Sequence, residues 1–237
     1  MEGISLPLPR DPRISRDKQG RLLISSCLSI VGSLGTPSKM PGLTYGLEAG
    51  TTCPRSKRLI ETHGESAVCH FCYAKGGNYQ YPSVKLAHSR RLVGLSHPLW
   101  VEAMTRLINH YRHEGKKETD TRYFRWHDTG DIIDLQHLRK IVEVVRGCPD
   151  VRFWLPTHEP KTIELYLKLY RKFPSNLTVR ISADLLHKEA STVGDLPTST
   201  VSSGIGFVCP SNKQANSCLS CRACWNSNVK NIDYPLH

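Results

Sequence analysis

From residue 121 onward the chain alternates between two hydrophobic rhythms, short apolar runs and apolar residues at helical spacing. Residues 122–126 read as a strand. A helix follows with Asp134 as its N-cap and Leu135, Leu138, Ile141, Val142 and Val145 on its buried face. Gly147 ends it, with Pro149 beyond. Residues 151–155 form a second strand and residues 161–173 a second helix, with Ile163, Leu167 and Tyr170 on one side and lysines on the other. Residues 177–182 form a third strand. Such alternation predicts an α/β fold built on a parallel sheet with right-handed crossovers. Ligands bind such sheets beyond the carboxyl ends of the strands. Those ends are polar here: His127, Asp128, Thr129, Gly130 and Asp131, then Thr157, His158 and Glu159, then Ser182, Ala183 and Asp184. Capping explains Asp134; for the first two groups a role in lining a site is the stronger expectation.

Upstream the pattern is less regular. Residues 1–20, with their prolines and charges, read as an irregular arm, and residues 21–30 as a strand. The glycines and prolines between Gly32 and Gly50 mark a long loop that runs into Cys53. Residues 83–95 predict a basic helix with Ser83 as N-cap and Lys85, Arg90 and Arg91 exposed. Residues 97–113 predict another, with Leu99, Trp100, Met104, Leu107, Ile108 and Tyr111 on its buried side and Gly115 as its stop. Residues 184–204 read as loop and 205–208 as a short strand, and the tail packs back through Trp225 and Tyr234. The expected organisation is an arm (1–20), an α/β core (21–208) and a small Cys-rich C-terminal appendage (209–237).

Composition adds a bias in charge. The 237 residues carry 32 Lys+Arg against 21 Asp+Glu, a net charge of +11, which makes nucleic acid or a nucleotide a natural partner. With 39% hydrophobic and 22% charged residues, wholesale disorder is excluded. No run approaches the roughly 20 apolar residues of a membrane span. The first residues lack a signal peptide's basic start and apolar run, so a cytoplasmic location is expected. In a reducing compartment, nine cysteines point to metal ligation before disulfides.

Seven of the nine fall into two sets. Cys53, Cys69 and Cys72 make a set of three, with a C-x-x-C hook that can join Cys53 only if the chain between them folds back. Cys209, Cys218, Cys221 and Cys224 make a set of four, and its C-x2-C-x2-C spacing is familiar from ferredoxin-type clusters. Four thiolates close a 4Fe–4S cluster; three leave one iron open to a cofactor. The alternative metal is zinc, in a site joining the Cys69/Cys72 and Cys221/Cys224 hooks, or with His63 or His70 replacing a cysteine. Cys27 and Cys148 read as buried structural residues.

The stretches S-K-M-P-G-L-T-Y-G-L, V-C-H-F-C-Y-A-K-G-G-N-Y, F-R-W-H-D-T-G-D-I, F-W-L-P-T-H-E and C-L-S-C-R-A-C-W resemble the gene product 88 proteins of phages. That resemblance implies phage origin and the host cytoplasm. More loosely, the order of C-H-F-C-Y-A, a strand leading to G-D, a strand leading to P-T-H-E-P and a strand ending in Ser182 is similar to radical-SAM-like phage proteins, with Phe71 as the aromatic before the last cluster cysteine. This second resemblance implies a partial (βα) barrel and a catalytic cluster on Cys53, Cys69 and Cys72. It implies S-adenosylmethionine near His127, Asp128 and Asp131, an auxiliary cluster on the four later cysteines, and an external electron donor. The polar strand-end residues Thr157, Glu159 and Ser182 complete the expected cofactor site. One departure stands out: the usual triad is C-x3-C-x2-C, whereas residues 54–68 separate Cys53 from Cys69. A non-enzymatic, zinc-stabilised protein that binds nucleic acid or a host protein is the competing expectation.

Overall fold

A computed structural model describes residues 14–114 and 119–236. Among them, seven strands form one parallel sheet: β1 (Leu43–Tyr45), β2 (Tyr123–Trp126), β3 (Arg152–Thr157), β4 (Leu177–Ser182), β5 (Thr198–Val201), β6 (Phe207–Val208) and β7 (Asn231–Tyr234). Their order is β1-β2-β3-β4-β5-β7-β6. The α/β class and the parallel sheet expected from the alternation are therefore present. The first five strands lie in chain order, and right-handed crossovers in such a series all fall on one face. That face is apolar. Leu43, Tyr45, Phe124, Trp126, Phe153, Leu155, Leu177, Val179 and Ile181 join the buried core with residues of α4 (Trp100–His113), α5 (Leu135–Arg146) and α6 (Pro160–Tyr170). Strand geometry sends the intervening side chains to the other face, where Thr44, Arg125, Trp154 and Thr178 stand level with one another across β1 to β4. That second face carries the polar and cysteine-rich parts. Asp134 caps α5, its carboxylate accepting from the His137 N–H at 2.7 Å.

Several elements differ from expectation, each for a physical reason. Residues 21–30 are not a strand; they lead into helix α1 (Ile24–Val31). Its buried residues Ser26, Cys27, Ile30 and Val31 have helical spacing, and Gly32 (φ 89°) ends it in the left-handed conformation. The long loop contains β1, only three residues on the sheet's end. The loop 184–204 contains β5, whose Thr-Ser-Thr-Val carries too little apolar contrast to stand out. Helix α3 (Pro82–Gly94) starts at its proline, with Tyr81 in place of Ser83 at the cap. Arg91 is buried, not exposed; its guanidinium donates to the Ser33 and Gly46 carbonyls. In α6, Tyr166 joins Ile163 in the core while Tyr170 is exposed. Gly115 and residues 1–13 of the arm lie outside the described residues.

Residues 209–237, expected as an appendage, supply β7 between β5 and β6. Trp225 is buried there as expected, its indole donating to the Phe124 carbonyl at 2.9 Å. Cys27 and Cys148 are buried core residues. Among the described residues no helix is long and apolar enough to cross a membrane.

Candidate functional site

Cys53 precedes helix α2 (Ser56–His63), which occupies much of the interval before Cys69. After it, residues 64–80 fold as a series of short 3-10 turns that hold Cys69 and place Cys72 between two of them. The segment is tied down at the carboxyl edge of the sheet. Val68 N–H donates to the Asp184 carbonyl, and Leu186 N–H to that of Ser66. Arg55 links three later residues: its N–H donates to Glu159 Oε1 (2.9 Å), Nη1 to the His158 carbonyl (2.7 Å) and Nη2 to Asp184 Oδ2 (2.8 Å). These ties fold the chain back and bring Cys53 to the hook. Burial pushes the Cys53 thiol up to about 12, with Asp131, Cys72 and Glu159 adding to the rise. Burial likewise pushes Cys69 up to about 12, with Cys53, Cys72 and Asp131 adding. The three thiols thus lie within one another's fields beside two carboxylates. Thiols in such surroundings are poor nucleophiles. A soft metal centre that binds thiolates relieves their repulsion, so this donor set fits one.

The strand-end residues divide into groups. Asp131 accepts from Ile132 N–H (2.7 Å), Thr157 Oγ1 (2.6 Å) and His158 N–H (2.8 Å). Burial nevertheless raises its pKa above the usual carboxylate range. Thr157 Oγ1 accepts from Glu159 N–H at 3.0 Å. Burial, with Asp131 adding, pushes the Glu159 carboxyl up to about 7. Burial opposes the charge of Asp184, but His158 and Arg55 hold its pKa below the usual range. Asp131, Thr157 and Glu159 are therefore one hydrogen-bonded unit beside Cys53. Asp128 borders it: its carbonyl accepts from the Tyr73 hydroxyl, and its buried Oδ1 has no partner among the described residues. Ser182 lies further along the edge, accepting from the Ser199 hydroxyl at 3.3 Å. His127 turns away. Its backbone is left-handed (φ 52°), and its ring meets that of His137 with centroids 5.2 Å apart, beneath α5.

The later cysteines form a second centre. Cys209, Cys218, Cys221 and Cys224 all line one small cavity of about 20 Å³, closed by Trp225 and Ile232. Cys224 Sγ lies 3.2 Å from the Tyr234 hydroxyl. Burial pushes the Cys224 thiol up to about 11, against the pull of Tyr234, Arg180 and Arg125. Burial also raises Cys218, with Cys209 and Cys221 adding. Two arginines frame this group, Arg180 fully buried and Arg125 half-buried. Arg180 donates to the carbonyls of Thr198, Val229, Ala223 and Asn226 at 2.9–3.2 Å and so grips the turn that carries Cys224. The Arg125 guanidinium lies 4.4 Å from the Trp154 ring centroid and 3.4 Å from the Tyr73 hydroxyl, and among the described residues no carboxylate is within ion-pair distance. Unneutralised guanidinium groups beside four thiols suit an anionic metal–thiolate group. Also among the described residues, no three His, Cys, Asp or Glu side chains converge as ligands of a single ion. The sequence reading missed Arg125, Arg180 and Tyr73; the available signal was an arginine inside an otherwise apolar strand.

No curated protein and no solved structure matches the chain. A model of the family described as gene product 88 matches residues 17–217, a span that holds the three-cysteine set, the strand-end residues and Cys209. The chain belongs to the gene product 88 family.

Proposed function

We propose that the protein is an iron–sulfur enzyme of the radical S-adenosylmethionine type that modifies a nucleotide or nucleic acid in the host cytoplasm during phage infection. The observation that carries this reading is the return of Cys53 to Cys69 and Cys72 across fifteen intervening residues. Three thiolates leave one iron of a four-iron cluster open, whereas the separate set of four closes one. The chain-order winding of β1 to β5 is also that of part of a (βα) barrel. Held by Cys53, Cys69 and Cys72, such a cluster would pass one electron from an external donor to S-adenosylmethionine, which would split to methionine and a 5′-deoxyadenosyl radical able to take a hydrogen atom from the substrate. The chain's own part is placement. Asp128, with a carboxylate oxygen unpartnered among the described residues, and the Asp131–Thr157–Glu159 unit offer acceptors to the cofactor's ammonium group. Arg55 fixes that unit against Cys53, while Arg125 reaches the Tyr73 hydroxyl next to Cys72 and its charge acts on Cys224.

Anaerobic reconstitution with iron and sulfide should give brown protein holding about seven to eight irons per chain. The Cys72→Ala variant should hold about four, and incubation with dithionite and S-adenosylmethionine should consume the latter only with the parent protein. Binding of zinc alone, with no iron, overturns the reading. A second reading has one favouring observation: the four later cysteines all line one small cavity, and four thiols are the donor type of structural zinc sites. In that case the protein is a zinc-stabilised binding protein, chelation unfolds it, and S-adenosylmethionine is left intact.

A further inference from the structure

We propose that the cap over the three-cysteine set is a docking surface for single-stranded nucleic acid, which names the substrate class if that set is the reactive centre, as proposed above. Phe71, Tyr73 and Tyr81 are 41, 49 and 59% exposed, three large aromatic side chains standing out of the surface within eleven residues. Exposed apolar residues are normally scattered, and a local concentration marks a contact surface. Tyr73 and its neighbour are held in place. The Tyr73 hydroxyl bonds to the Asp128 carbonyl, its ring lies 5.7 Å from that of Tyr79, and Tyr79 stacks on His88 at 6.2 Å. Helix α2 packs on the turn Val68–Phe71 and helix α3 on the turn Gly77–Gln80, so the cap is one continuous surface.

Its exposed charge is mainly positive. Lys57 and Arg58 come from α2, Lys75 from the turns, and Lys85 and Arg90 from α3, against only Glu61 and Glu65 within residues 54–93. Lys75 Nζ also donates to the Cys69 carbonyl at 3.1 Å, which places that cation at the cluster loop itself. Aromatic faces flanked by cations match a single strand: bases stack on the rings whatever their sequence, and phosphates follow the positive charge. A duplex keeps its bases stacked internally and engages only the charges.

Fluorescence anisotropy with a labelled single strand, and with the same sequence as a duplex, tests the surface. The single strand should bind at least tenfold more tightly than the duplex. Phe71→Ala and Tyr81→Ala should each weaken single-strand binding about tenfold. The double variant Lys85→Ala/Arg90→Ala should reduce the slope of log affinity against log salt by about 1.4. All four side chains are exposed, so thermal melts should match the parent protein. Equal affinity for duplex and single strand, or unchanged binding by the aromatic variants, overturns the proposal. Iron content and the visible spectrum of each preparation report separately on the cluster. Strand binding without iron refutes only the reactive-centre reading; iron without strand binding refutes only the docking surface.

Discussion

Arg180 donates four hydrogen bonds to backbone carbonyls and is completely buried. The Arg180→Leu variant fills the space but leaves those carbonyls without their donor. At roughly 1 kcal/mol or more for each, a loss of about 4 kcal/mol is expected in urea denaturation. Because two of the four carbonyls flank Cys224, any metal held by the four later cysteines, as proposed above, should be lost from the variant before it unfolds. His137 sets a pH dependence. Burial lowers its pKa to about 4, against an ordinary value of 6.5. Above pH 6.5 both folded and unfolded chains hold it neutral. As the pH falls from 6.5 to 4 the unfolded chain takes up a proton that the folded chain refuses, so stability declines across that window by about 3 kcal/mol. His88 and His127 shift in the same direction and steepen the decline. The His137→Asn variant keeps an acceptor for the Ile133 N–H and should flatten the slope. Urea midpoints at pH 7 and 4.5 measure this, and an unchanged slope would exclude His137 as its source.

At the scale of elements, one close approach governs the end of the sheet. Gly42 has φ 84°, and a Cβ there would stand 1.9 Å from the Tyr123 carbonyl oxygen. The Gly42→Ala variant must therefore push β1 away from β2, with an expected loss of about 3 kcal/mol and faster hydrogen exchange at Thr44 and Tyr45. Asp134→Ala removes one helix cap and should cost about 1 kcal/mol by the same urea measurement. The legibility of the fold followed the length and contrast of each element. Helix α5 has long apolar periodicity with a cap at one end and a glycine at the other, and β4 alternates Leu177, Val179 and Ile181 with polar residues over its six positions; both were readable to within a residue. Elements β1, β5 and β7 are only three or four residues long, the latter two rich in polar residues, and they become strands only because neighbours complete their hydrogen bonds. The cysteine sets were legible from spacing, and so were the carboxylates at the strand ends. Two parts were not. Folding brings His127 under α5 through a left-handed backbone, and Arg55 joins residues more than a hundred positions away.

At the scale of the molecule, the order of the sheet departs from the order of the chain at one place: β7 lies between β5 and β6. A chain ending at residue 208 leaves β6 without its neighbour, because β6 pairs only with β7 among the described strands. It also removes Trp225, whose indole meets Phe124 on β2, and three of the four carbonyl partners of Arg180. Such a truncation should be insoluble or show no cooperative thermal transition by circular dichroism. A soluble, cooperatively melting product would instead identify residues 209–237 as a separable unit. The same threading has a bearing on biosynthesis. Strand β7, which joins β5 to β6, is made after the other six, so β1 to β5 and the three-cysteine segment stand without it until residues 231–234 have been made. The three-cysteine set is complete in the growing chain by Cys72, whereas the set of four needs Cys224. If both sets take up metal as proposed, loading is ordered in time, with the earlier set complete while much of the chain has still to be made.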